Sequence, residues 1–213
     1  STFMLQETYQ LELARRPRRL RQAPDLRAMV AETQLKVSDF AMPLFFFDGN
    51  GHPQDIPSMP GIVRHNLTTL VRECEIAYDM GLRCVLLFPC LESSIKDYSG
   101  SQAFNPDGLM LRGIRAIKQR VPKMLIVSDV ALDPYTSHGH DGIWDDHLND
   151  VVNDPTVEAL CRMALLHAQA GADMVGPSDM MDGRVGAIRR YLDQHSYTHT
   201  GILSYTAKYA PSF

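Results

Sequence analysis

Apolar residues gather in five short runs: "AMPLFFF" (41–47), "LRCVLLF" (82–88), "MLIVS" (124–128), "ADMVG" (172–176) and "GILSY" (201–205). The runs are near-continuous rather than alternating, which is the pattern of a strand buried on both faces. Between them the apolar positions change to helical spacing. Leu67, Leu70, Val71, Cys74 and Tyr78 form one stripe, with Asn66 as its cap and Gly81 as its stop. Met110, Ile114 and Ile117 form a second. Val157, Leu160, Cys161, Ala164, Leu165 and Ala168 make a full i, i+3, i+4, i+7 face, opening at Asp154–Pro155 and closing at Gly171. Val185, Ile188 and Leu192 make the last.

Strand, helix, strand repeated in this way predicts an α/β fold of parallel strands joined by right-handed crossovers. An open doubly wound sheet and a (β/α)8 TIM-type barrel both fit. No GxGxxG follows the first strand, so the dinucleotide-binding version of the open sheet loses support. The chain has 213 residues, whereas a closed barrel takes about 250. Five strands are predicted, and the last leads into "SYTAKYAPSF" with no helix after it. The expectation is therefore an incomplete barrel over 41–213 whose C-terminal part is absent, preceded by an arm over 1–40.

The arm carries Arg15, Arg16, Arg18, Arg19, Arg21 and Arg27 against one acid, Asp25. Such a cluster suits phosphate, but no aromatic residues interleave it. A solvated or subunit-contacting arm is the preferred reading. The whole chain has 21 basic and 25 acidic side chains, a net charge of −4. That is the wrong sign for a nucleic-acid or anionic-membrane surface. No apolar run approaches a membrane span. Arg15–Arg21 falls where a signal peptide would need its apolar core, so none is expected. Cys74, Cys84, Cys90 and Cys161 form no CxxC pair. They are read as reduced small hydrophobes in a reducing compartment, the cytoplasm, or a plastid in a photosynthetic eukaryote.

Chemistry in parallel α/β folds sits past the carboxyl ends of the strands. There, "SDVALDPYTSHGHDG" (128–142) supplies Asp129, Asp133, Tyr135, His138, His140 and Asp141. "PSDMMDGR" (177–184) supplies Ser178, Asp179, Asp182 and Arg184, and the fifth run leads to Tyr205, Thr206 and Lys208. Lys208 is the sharpest of these. A lysine at a buried strand end is costly to keep charged, and a neutral amine can attack a ketone to form a Schiff base. A lysine that reaches past the strand end to water is the alternative. His138, His140 and Asp141 have metal-ligand chemistry. "SHGHDG" is equally the chemistry of a turn. Asp133 and Asp141 are candidate ligands for a hard cation such as Mg²⁺, or are solvated.

With "SMPG" (58–61), "SDVALDPYTSHGHDG", "GADMVGPSDMMDGR" (171–184) and "SYTAKYA" (204–210) in this order, the chain resembles the porphobilinogen synthases, also called 5-aminolevulinate dehydratases. The likeness runs from "RPRRLR" (16–21) to the end. It implies a (β/α)8 barrel whose N-terminal arm wraps a neighbouring subunit, within a homo-octamer built from arm-exchanging dimers. It implies a lyase that condenses two 5-aminolevulinate molecules to porphobilinogen with loss of two waters, in tetrapyrrole and heme biosynthesis. Lys208 resembles the first of two Schiff-base lysines. Asp129 and Ser178 match catalytic polar positions near the substrate amino group, and Tyr205 and Asp179 are taken as substrate-binding.

Two departures stand out. Zinc-dependent members of the family carry three cysteines where this chain has Ala131, Asp133 and Asp141. Alanine has no ligand atom and carboxylates favour harder ions. The resemblance is therefore to the aspartate-rich branch, without catalytic zinc, where Mg²⁺ acting allosterically or a monovalent cation assists. The second departure is length, since the family continues into a lid with carboxylate-binding arginines, a second lysine and three more strands. Pro211 also stands where the family has a small residue such as serine. Two alternatives remain: a non-catalytic homologue that keeps the fold for assembly, and another class I Schiff-base barrel lyase such as an aldolase.

Overall fold

A computed structural model of the chain describes residues 17–205. Arg15, Arg16, Thr206, Lys208 and Pro211 lie outside the described residues. The chain divides into two compact units, Ser1–Lys36 and Val37–Phe213. In the first, a helical turn at Pro17–Arg21 precedes helix α1 (Pro24–Val30), which has proline in its first turn and buries none of its residues.

The second unit is built in chain order from β1 (Ala41–Phe47), β2 (Gln54–Asp55), β3 (Val63–His65), α2 (Leu67–Asp79), β4 (Cys84–Cys90), α3 (Leu109–Arg120) and β5 (Leu125–Val130). It continues through β6 (Ile143–Asp145), β7 (Asp150–Val152), α4 (Asn153–Ala170), β8 (Met174–Pro177), α5 (Arg184–Gln194) and β9 (Gly201–Ile202). The main sheet runs β2-β3-β1-β4-β5-β8-β9, and β6 and β7 pair separately. The five expected runs are β1, β4, β5, β8 and β9. They are parallel neighbours in chain order, as a barrel begun from its first strand requires.

The expected helices lie where their stripes put them. Asn66 caps α2 by accepting the Thr69 N–H at 2.8 Å, and Gly81 turns the chain with φ of 98°. Gly171, at φ 117°, ends α4 in the left-handed conformation that favours glycine. The first core cluster joins β1 and β4 to α2 and α3, through Leu44, Phe46, Leu70, Leu87, Ile114 and Ile117 among others. Gly113 lets α3 close onto β1, because a methyl group there would sit 2.6 Å from the Phe46 ring. The second cluster joins β5 and β8 to α4 and α5, around Val130, Leu160, Met163, Val175 and Ile188.

Three features depart from expectation. The strands are not buried evenly on both faces. In β1 and β4 the helix-facing residues are buried while the other face is only partly covered. The fifth strand is a two-residue ladder, continued by one bond from the Leu203 N–H to the Val175 carbonyl at 2.9 Å. Two pairings were not anticipated. Short β3 adds to β1 in parallel on its far side, with β2 antiparallel beyond it. The hairpin β6–β7 docks on α4 through Thr156, whose hydroxyl accepts the Ile143 N–H at 2.9 Å and donates to the Val152 carbonyl at 2.5 Å.

Candidate active site

The carboxyl ends of β1, β4 and β5 open into a cavity of about 580 Å³. Its apolar wall is made by the partly covered strand faces. Phe45 and Phe88 are register partners and stack with ring centroids 5.1 Å apart. Asp129, on the same side of the sheet at the end of β5, and Asp133, in the loop after it, supply carboxylates to this cavity. Arg64 from β3 and Lys96 from the loop after β4 supply cations. Neither cation was identified from the sequence. Arg64 is an isolated charge beside the "SMPG" turn and Lys96 lies in a polar loop, so only the tertiary fold reveals that they share a wall.

The loops that carry these groups are tied together. Asp97 forms an extra parallel bridge with Thr136. Its carbonyl accepts the Ser137 N–H at 2.8 Å. Its carboxylate accepts the Ser101 N–H at 2.8 Å, the Ser99 hydroxyl at 3.2 Å and the Ser101 hydroxyl. These bonds hold the carboxyl below the usual range, with the Ser101 hydroxyl the strongest influence. The loop after β4 is thereby fastened to the loop after β5, and Lys96 precedes the fastening point directly.

The predicted site residues divide into groups. Tyr205 stands near Asp129: its ring would lie 3.7 Å from a methyl group added at Gly176, the register partner of Asp129. Burial, then the Asp129 charge, raises the Tyr205 phenol above its ordinary value. Ser178 follows β8 and donates its N–H to the Val130 carbonyl at 3.3 Å, which puts it one strand over from Asp129. Asp179 is fully buried and engaged within its own loop. It accepts the Met181 N–H at 2.8 Å and pairs with the Arg184 guanidinium at 3.3 Å. Burial raises its carboxyl despite these partners. Asp141 lies near Asp179 rather than on the cavity that holds Asp133. Lys208 lies outside the described residues.

His138 and His140 take part in an aromatic group. His140 stacks on Trp144 at 4.3 Å, and the His138 ring meets Tyr98 edge-on at 5.1 Å. A His138 ring nitrogen is 3.1 Å from the Tyr98 carbonyl, and the other accepts the His140 N–H at 3.1 Å. Among the described residues, no three His, Cys, Asp or Glu side chains lie together as a metal-binding group. Ala131 is buried and has no donor atom.

Behind the site, on the helix-facing side of β5, Ser128 and His167 are both fully buried, with His167 Nδ1 2.8 Å from the Ser128 hydroxyl. Burial pushes the imidazole down to about 3, so it is neutral near pH 7. His167 escaped the sequence reading because it stands within the apolar stripe of α4, and Ser128, grouped by sequence with the polar residues of the strand ends, is buried against it. Cys74, Cys84, Cys90 and Cys161 are all free thiols, and burial raises each, Cys74 to about 12.

A family profile described as delta-aminolevulinic acid dehydratase matches residues 14–213. A delta-aminolevulinic acid dehydratase of Bradyrhizobium diazoefficiens is 48% identical over 203 residues, covering 95% of this chain and 57% of the relative. One from Chlamydia pneumoniae is 47% identical over 201 residues, covering 94% of this chain and 60% of the relative. The chloroplastic enzyme of Glycine max is 48% identical over 206 residues, covering 95% of this chain and 49% of its own length. The crystal structure of the Toxoplasma gondii porphobilinogen synthase with its product porphobilinogen superposes with a TM-score of 0.88 at 45% identity, over 95% of this chain and 57% of that one. The chain thus spans about half to three-fifths of the length of these relatives. The parallel strands β1, β4, β5, β8 and β9 are the opening part of a TIM-type barrel.

Proposed function

The chain belongs to the delta-aminolevulinic acid dehydratase family, and from that premise we propose that the protein containing it is a porphobilinogen synthase. It condenses two 5-aminolevulinate molecules to one porphobilinogen and releases two waters. The family match over residues 14–213 carries this reading. The cavity at the strand ends, lined by Asp129 and Asp133, supports it, since it lies where parallel α/β folds place their chemistry.

The chemistry divides among this chain's residues as follows. The Lys208 amine adds to the C4 ketone of one substrate, and loss of water leaves an imine whose protonated nitrogen draws electrons from the neighbouring carbons. Asp129 stands at the mouth to hold the substrate ammonium and to exchange protons with it. Tyr205 and Ser178, grouped around the end of β8, contribute hydroxyls. Asp179 acts one step back, shaping the loop after β8 through Met181 and Arg184.

Ala131 makes the loop after β5 a poor zinc site, so the reaction proceeds without catalytic zinc. Asp133 and Asp141 have the donor type of a hard cation, Mg²⁺ or a monovalent ion. The working assembly is a homo-oligomer, an octamer of arm-exchanging dimers. The unburied helix α1 favours this reading, since its surface is available to a neighbouring copy. The compartment is the cytoplasm or a plastid. No helix among the described residues is long and apolar enough to cross a membrane.

The test is borohydride reduction of the full-length protein in the presence of 5-aminolevulinate. Porphobilinogen should form without reductant, and with it a reduced adduct should map to Lys208 by mass spectrometry. Absence of both product and adduct would overturn the reading.

A further inference from the structure

The chain has five asparagines, Asn50, Asn66, Asn105, Asn149 and Asn153. Three are engaged in local structure. Asn66 accepts the Thr69 N–H at 2.8 Å and donates to the Gly51 carbonyl at 2.8 Å. Asn105 accepts the Asp107 N–H at 3.0 Å, and Pro106, which follows it, has no N–H. Asn153 accepts the Asp182 N–H at 2.8 Å and donates to the Asp154 carboxylate at 3.0 Å. Asn149 is followed by the larger Asp150, the first residue of β7. Asn50 differs from these four. It is exposed in the bend between β1 and β2, flanked by Gly49, whose φ is 115°, and by exposed Gly51. Among the described residues no hydrogen bond engages the Asn50 side-chain amide or the Gly51 N–H.

We propose that Asn50 is a site of spontaneous covalent modification, rearranging with Gly51 to isoaspartate or aspartate. Asparagine is among the thermolabile residues. The Gly51 backbone nitrogen loses its proton to base and attacks Asn50 Cγ. A C–N bond forms and closes a succinimide ring, the bond from Cγ to the side-chain nitrogen breaks, and ammonia leaves. Water then opens the ring. Addition at the main-chain carbonyl gives isoaspartate, and addition at the Cγ carbonyl gives aspartate. Base and water are the only co-reactants, and no electrons are exchanged. The attack is slowed by a Cβ on the following residue and by hydrogen bonds that must first break. Asn50 has neither obstacle, and the missing Cβ atoms on both sides leave the backbone free to reach the attacking conformation. The product alters its surroundings. Isoaspartate inserts one extra main-chain carbon before Gly51, whose carbonyl holds the Asn66 side chain that caps α2. Gly51 also lies against the Phe47 ring, which is on the wall of the cavity. The rearrangement therefore reaches both the start of α2 and the cavity wall.

The experiment incubates the full-length protein in mildly alkaline buffer. Conversion is followed by peptide mapping with mass spectrometry and by methyl transfer from labelled S-adenosylmethionine with an isoaspartyl methyltransferase. The peptide holding Asn50 should gain the mass difference between OH and NH2 and become the methyl acceptor. Peptides holding Asn66, Asn105 and Asn153 should stay unchanged. Gly51→Ala should slow the conversion by about fivefold or more, because its Cβ removes backbone freedom that the attack needs. That variant should keep the fold, since a Cβ at Gly51 would make ordinary contact with the Phe47 ring at 3.6 Å. Asn50→Ser should not convert. In the aged protein, amide exchange at Thr69 should quicken, and in aged Asn50→Ser it should not. Three results would overturn the proposal. They are no mass gain at Asn50 over the period in which the urea-unfolded chain converts, a rate that Gly51→Ala leaves unchanged, and faster conversion at Asn149 than at Asn50. An unchanged Thr69 amide in fully converted protein would overturn the link to α2.

Discussion

His167 and Ser128 meet at 2.8 Å inside the contact between α4 and β5, and neither side chain is exposed to water. Burial holds the folded imidazole at about 3, well below its ordinary value near 6.5. Between those values the unfolded chain binds a proton that the folded chain refuses. Stability from this group is therefore fully present above about pH 6.5 and is lost as pH falls toward 3. From pH 7 to pH 5 the loss should be about 2 kcal/mol. Urea denaturation at the two pH values measures it. His167→Gln should lower stability at pH 7 and flatten the pH dependence. An unchanged slope in that variant would assign the acid sensitivity to other groups.

The frame of the molecule was legible because burial leaves a local trace. Phe46, Val85, Leu87 and Ile126 are apolar in sequence since strands under helices need them, and Leu70, Ile114 and Leu160 keep helical spacing for the same reason. The hairpin β6–β7 left no such trace. Its pairing depends on a close approach at Gly142, where a methyl group would collide with Val151, and on Thr156 in the first turn of the next helix. Asp129 and Asp133 line the cavity, whereas Asp179, of the same chemical kind, pairs with Arg184 and accepts the Met181 N–H. Arg64 and Lys96 were invisible because their proximity arises from strand order, which no single segment encodes.

Close packing at Gly113 sets up a second test. A Cβ there would fall 2.6 Å from one Phe46 ring carbon and 2.8 Å from another, and Phe46 is fully buried. Helix propensity favours alanine, but overpacking of a core costs about 1–3 kcal/mol. Gly113→Ala should therefore destabilise the protein by about that amount in chemical denaturation. The paired change Gly113→Ala with Phe46→Leu should recover part of it, because it removes the ring atoms in conflict. Equal stability of Gly113→Ala and the unaltered protein would show that α3 can shift away from β1.

Asp97 fastens two loops with one carboxylate and one stretch of main chain. Asp97→Ala removes the acceptors for Ser99 and Ser101 and should cost about 1–2 kcal/mol. Loosening should be local. Amide exchange should quicken at Ser101 and Ser137, while amides of α3 and α4 keep their protection. A uniform gain in exchange across the domain would show a global rather than a local role.

Zinc dependence gives a sharp test of the loop after β5. Ala131 has no donor atom, and Asp141 lies beside Asp179 while Asp133 faces the cavity. The full-length protein should keep its turnover under a zinc-selective chelator at neutral pH. Any dependence on added Mg²⁺ or a monovalent cation should be graded rather than absolute. Complete loss with chelator, restored by stoichiometric zinc alone, would require a different set of ligands from the ones in this loop.

Lys208 carries the last test, which concerns charge rather than geometry. Imine formation needs a free amine, so its proton must leave near neutral pH although an ordinary lysine holds one up to about 10.4. A second ammonium in the same pocket would help, since two such charges cannot be kept together cheaply. Lys208→Ala should reduce kcat by several orders of magnitude, with no adduct after borohydride. Lys208→Arg should restore positive charge and side-chain length without restoring turnover, because a guanidinium stays protonated and cannot form the imine. The pH profile of kcat/KM should show one ionisation well below the ordinary lysine value, and that limb should vanish in Lys208→Ala. Near-normal turnover in Lys208→Ala, or rescue by Lys208→Arg, would mean that the lysine serves electrostatics and that the nucleophile is elsewhere.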